Sequence, residues 1–154
     1  MKIYLLTHER ELHRPTNTGA IAITAGASLV RRVIWERKQP DVELKKLVAT
    51  GSAALVYPAE ESDPQPLDPT AFDNFILLDG TWQEARKIFN RTPYLKTAPR
   101  VSLQPESSSN YQLRRNQLQG GLCTAECVVE LLRVKGYREV AGDIEARFYE
   151  FNRR

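Results

Sequence analysis

The tightest constraint on how this chain can fold is Phe75-Ile76-Leu77-Leu78, four apolar residues in a row between Asn74 and Asp79-Gly80. A strand with one wet face alternates apolar and polar residues. A continuous apolar run is the pattern of a strand covered on both faces of a parallel sheet. Immediately after the turn, Thr81 and Glu84 stand three apart, the spacing of a capping box, which predicts a helix from Trp82 to Asn90. A buried strand feeding a helix through a tight turn is the repeating unit of an α/β domain.

The rest of the chain fits that reading. Lys2 to Leu6, Val30 to Trp35, Ser52 to Tyr57 and Arg100 to Leu103 read as further strands. Thr16 to Gly19 reads as a helix start capped by Asn and Thr, with Gly26 at the end. Asp41 to Val48 and Thr124 to Val134 show helical apolar spacing, and Ile144, Phe148 and Phe151 mark a last helix. Thr7 to Asn17, Glu60 to Pro69 and Pro105 to Gln119 read as polar loops. No repeat or linker divides the chain. The expectation is one α/β domain over residues 1–154, a mostly parallel sheet with helices on both faces.

Composition excludes several classes. With 42% hydrophobic and 27% charged residues and no apolar run near a membrane span, membrane, secreted and fibrous proteins are disfavoured. Cys123 and Cys127 are too few for a structural zinc site and poorly spaced for a disulfide, so free thiols, no metal and a cytoplasmic location are expected. Charge is segregated: residues 57–84 hold seven acids and no Lys or Arg, whereas residues 86–115 hold seven basic residues against Glu106 alone. A basic lobe is the footprint of a polyanion partner, although solvated loops of both signs give the same count.

Three stretches carry candidate chemistry. Asp79 ends the buried strand at the sheet edge where open α/β proteins bind ligands. There it could serve as a general base, a ribose ligand or a turn residue, and Trp82 could be a stacking platform or core. Tyr111 to Arg115 followed by Gly120 to Glu126 places paired arginines and a Gly-Gly before a helix N-terminus, able to grip a carboxylate or phosphate. Cys123 at that terminus would need a nearby His to act as a nucleophile, and both histidines, His8 and His13, lie in the first loop. Arg14 to Gly19 is either a capped helix start or an anion loop, with Arg14 on a phosphate and Thr18 lining a pocket. Neither a P-loop nor G-x-G-x-x-G is present.

In order along the chain, His8, Glu11 and Arg14 to Gly19, then Asp79-Gly80-Thr81-Trp82, then Tyr111 to Arg115 and Leu122 to Glu126 resemble the DTW-domain family, the tRNA-uridine aminocarboxypropyltransferases. The resemblance implies a SPOUT-like fold with a C-terminal knot around the cofactor pocket. It implies transfer of the 3-amino-3-carboxypropyl group of S-adenosylmethionine to N3 of a uridine in tRNA, releasing methylthioadenosine. By the same resemblance Asp79 is the base, and Thr18, Leu78, Leu103, Leu122 and Thr124 border the cofactor. Arg14, Arg114 and Arg115 would hold RNA phosphates or the cofactor carboxylate, Trp82 would stack on the target base or pack under the Asp79 turn, and a homodimer could complete the RNA surface. Cys123 stands where the family usually has Ser. The cysteine-rich leading segment of many bacterial members has no counterpart before Met1, so no zinc is expected. The alternatives are transfer of either group to ribosomal RNA, or a non-catalytic RNA-binding module.

Overall fold

The computed structural model describes residues 1–57, 67–103 and 122–153. Its strands are β1 (Lys2–Thr7), β2 (Val30–Ile34), β3 (Ala53–Val56), β4 (Asn74–Asp79) and β5 (Arg100–Val101), arranged in one sheet in the order β2-β1-β4-β3-β5. Every described strand pairing is parallel. The central strand β4 holds the continuous apolar run, and Phe75 and Ile76 are fully buried on opposite faces, as the sequence pattern requires.

Side chains alternate along each strand, so two separate cores form. Ile3, Leu5, Phe75 and Leu77 pack against α1 (Gly19–Gly26), α5 (Thr124–Val134) and α6 (Arg138–Asn152) through Ala22, Val128, Leu132 and Ile144. On the other face, Tyr4, Leu6, Leu55 and Ile76 meet α2 (Val42–Ala49), α3 (Trp82–Asn90) and α4 (Pro93–Lys96) through Leu44, Ile88 and Leu95. Each such buried aliphatic side chain contributes about 1.5–3 kcal/mol.

The chain leaves β1 into α1 on one face and leaves β4 into α3 on the other. These two strands are neighbours, so a crevice opens between their carboxyl ends, the switch point at which ligands bind in open α/β sheets. No helix among the described residues is long and apolar enough to cross a membrane.

The expected α3 is found with its capping box: Thr81 Oγ1 accepts from Glu84 N at 3.2 Å, and Glu84 Oε1 accepts from Thr81 N at 3.0 Å. Three expectations need correction. The stretch read as a polar loop after β1 contains a 3-10 turn over Glu9–His13, with His8 Nδ1 accepting from Arg10 N. The cap of α1 is supplied by Asn17, whose Oδ1 accepts from Ala20 N at 3.0 Å, because Thr18 already has helical backbone angles and sends its hydroxyl elsewhere. Strand β5 stops at Val101, two residues earlier than expected: its register with β3 covers only Leu55 and Val56, and on its other side it has a single bridge, from Val101 to Leu67. The expected loop 105–119 lies outside the described residues, as does Glu60 to Gln65 with Pro66 of the earlier one.

Candidate active site

The face that carries Ile3 and Leu5, Phe75 and Leu77, and Val30 would continue apolar if it served packing alone. At its carboxyl rim it turns polar instead, because Thr7, Asp79 and Arg32 take the next positions of the same alternation. Thr7 and Asp79 are register partners, and both are almost fully buried.

Burying a carboxylate is costly unless its lone pairs are filled. Asp79 Oδ1 accepts from Thr124 Oγ1 at 2.9 Å and from Asn17 Nδ2 at 3.0 Å. Asp79 Oδ2 accepts from Thr7 Oγ1 at 3.1 Å and, at 3.5 Å, from an Arg32 terminal nitrogen. Burial still dominates: it raises the Asp79 carboxyl above its usual range, against the opposing pull of Thr124, Arg32, Asn17 and Thr7. Gly19 is required by the same packing, since a Cβ there would lie 2.7 Å from Asp79 Oδ2.

Asn17 extends the network, because its Nδ2 also donates to Glu11 Oε1 at 3.0 Å. Glu11 holds Arg14 through a short contact, and Arg14 reaches Glu84 with two bonds of 2.7 and 2.9 Å. Burial pushes the Glu84 carboxyl upward, but the bonds from Arg14 and from Thr81 N outweigh it and hold Glu84 below its usual range. Glu84 thus caps α3 and clamps the loop before α1. Helices α1 and α5 are joined directly, as Thr18 Oγ1 accepts from Ala125 N at 3.0 Å.

The structure therefore brings Asp79, Thr18 and Thr124 to one point. Arg14 connects to them through Glu11 and Asn17, with its guanidinium taken up by two carboxylates. Leu122, partly buried, stands just before Cys123, the N-cap of α5, and Leu103 packs at the margin of the α5–α6 core. Leu78 and Trp82 lie on the opposite face, where Trp82 is partly buried with its ring 5.7 Å from that of Tyr57. Arg114 and Arg115 lie outside the described residues. Burial, reinforced by Glu126, pushes the Cys123 thiol far up, which removes it as a nucleophile. The cysteines are free thiols.

Sequence reasoning missed Thr7 and Arg32 as site residues and read Glu84 only as a cap. Arg32 left one usable signal, a charged residue two positions after buried Val30, on the core-facing side of its strand.

The DTW domain model matches residues 1–154. The chain is 28% identical over 140 residues to tRNA-uridine aminocarboxypropyltransferase 2 of Drosophila melanogaster, covering 86% of this chain and 55% of that protein. It is 26% identical over 142 residues to the Mus musculus protein of the same name, covering 86% and 47%. The chain thus spans about half the length of these curated relatives. No solved structure matches it.

Proposed function

The chain belongs to the DTW-domain family, and on that premise we propose that it transfers the 3-amino-3-carboxypropyl group of S-adenosylmethionine to N3 of a uridine in tRNA, with release of methylthioadenosine. One observation carries the reading: the sequence elements of Arg14 to Gly19, Asp79 to Trp82 and Leu122 to Glu126 converge on the Asp79 carboxylate in the switch-point crevice. The names of the curated relatives support the same reaction and the same substrate class.

The residues present fit the cofactor. With Asp79 ionised, the linked cluster sets Asp79, Glu11 and Glu84 against Arg14 and Arg32, an excess of one negative charge that favours a cationic sulfonium. Thr18 and Thr124, with the backbone of Leu122 and Leu103, would hold it on the α1–α5 side; Leu78, whose side chain packs on the opposite face, would contribute only its backbone from β4. The reading extends to a SPOUT-like fold with a C-terminal knot, supported by the return of the α5 N-terminus to the end of the central strand.

When bound, S-adenosylmethionine supplies a carbon activated by its sulfonium, so the chain itself has to position the uridine and remove its N3 proton. Thr124 is the half-buried donor to an otherwise enclosed carboxylate. Its hydroxyl hydrogen points to Asp79 Oδ1, which leaves the Oγ1 lone pairs to accept from N3–H. The proton then moves from N3 to Thr124 Oγ1 as the hydroxyl proton passes to Oδ1. The raised affinity of Asp79 for a proton favours that transfer. Arg114 and Arg115 serve as phosphate contacts for the RNA.

The test incubates the purified protein with bulk tRNA and S-adenosylmethionine, followed by mass spectrometry of digested nucleosides. An aminocarboxypropyl-uridine with stoichiometric methylthioadenosine is expected. A methylated nucleoside, or product on ribosomal RNA alone, would overturn the assignment.

A further inference from the structure

Among the described residues, Arg32 Nε is the buried side-chain nitrogen with no hydrogen-bond partner. Buried donors in native proteins are nearly always paired, so an orphan of this kind calls for a reason. Service as the counter-ion of Asp79 does not supply one. The contact between them is long, 3.5 Å, while the shorter bond of the same terminal nitrogen, 2.8 Å, goes to the neutral amide of Asn17. Asn17 and Asp79 thus fix the guanidinium by one of its nitrogens and leave the rest of the fork unspent. Nε itself is enclosed, while the side chain as a whole is 21% exposed and stands on the Asp79 side of the sheet, which leaves the outer part of the guanidinium for a ligand.

We propose that Arg32 anchors the α-carboxylate of the methionine-derived part of the small-molecule ligand. This rests on the function proposed above and adds to it a determinant of which carbon is transferred. The methyl and propyl carbons share one sulfonium, so selection between them is a matter of which one is held in line with the nucleophile. A planar guanidinium fixes a carboxylate in direction as well as position, which an ammonium does not. Held by Arg32, the aminocarboxypropyl arm is kept within the crevice beside Thr124 and Asp79. A purely adenosine-directed grip would leave that arm free.

Calorimetric titration of the full chain with S-adenosylmethionine, its decarboxylated analogue and methylthioadenosine tests this. The wild type should bind S-adenosylmethionine about tenfold or more tighter than the decarboxylated analogue. Arg32→Lys should lose about that factor for S-adenosylmethionine, while methylthioadenosine, which has no carboxylate, keeps its affinity within about twofold. Equal losses for both ligands would make Arg32 a structural residue and overturn the proposal, as would no loss for either. If Arg32→Lys fails to fold by circular dichroism, the wild-type comparison decides alone, and equal affinity for the carboxylated and decarboxylated ligands overturns it. A wild type that binds none of the three ligands refutes the proposed function itself, and this inference with it.

Discussion

Leu78 and Asp79 are neighbours in one strand, yet they belong to opposite regions of the molecule. Asp79 faces α1 and α5 and sits in a polar hub whose members come from β1, β2, β4 and the starts of both helices. Leu78 faces α3 and joins an apolar side of aliphatic residues and rings, where Tyr57 stacks on Phe89 at 4.7 Å and the Arg100 guanidinium lies 4.8 Å from the Phe89 ring centre. The first region is held by directed bonds to a single carboxylate, the second by area and ring contacts. A four-residue motif therefore straddles the sheet, with its acid serving one face and its tryptophan packed on the other.

The hub should be the more brittle of the two. Asp79→Ala removes the acceptor shared by four donors and leaves Arg32 without its carboxylate, so stability should fall by roughly 3–5 kcal/mol, read by urea unfolding. A loss under about 1 kcal/mol would mean that the hub contributes little to the fold. Loss of activity in that variant would then speak to folding as well as to proton transfer, and Thr124 separates the two. Thr124→Val should keep the fold and lower kcat about 100-fold, whereas Thr124→Ser should recover most of it. Equal activity in the two variants would remove the hydroxyl from the proton path.

On the apolar side, Trp82→Ala should cost about 2 kcal/mol, less than a fully buried ring because Trp82 is only partly enclosed. A loss of tRNA binding with unchanged stability would instead make Trp82 a stacking platform. The smallest effect concerns pH. Glu84 is held below its usual 4.5, so its contribution is complete above that value and disappears as pH falls through the lower folded value. Asp79, raised above its usual 3.8, contributes in the opposite sense, fully below 3.8 and less as pH rises through the folded value. Thermal melts should therefore show Glu84→Gln about 1 kcal/mol less stable than wild type at pH 7, with the gap closing toward pH 3. A gap that widened in acid would reverse the assignment of Glu84 as the clamp.

Much of this architecture could be read from the chain itself. The capping box of α3, the ending of α1 at Gly26 and the buried run of β4 are written in residues three or four apart, or in an alternation of period two. Backbone hydrogen bonding and side-chain direction enforce such patterns locally. Asp79 is legible as a candidate for the same reason, as a carboxylate at the carboxyl end of a buried strand.

What the tertiary structure alone decided is how those local pieces are spent. Arg14 looks free for a phosphate in sequence, but its partner Glu84 is 70 residues away and reaches it only because α3 begins beside the turn after β1. Arg32 and Thr7 become neighbours of Asp79 through parallel register, which places β2 and β4 on either side of β1. Thr18 looks like a cap and proves to be the bond between α1 and α5, spanning 107 residues. Local pattern sets where a helix or strand forms and which side of it is apolar. The partner of a buried charge is set by which strands become neighbours, a global choice made by packing two cores against one sheet.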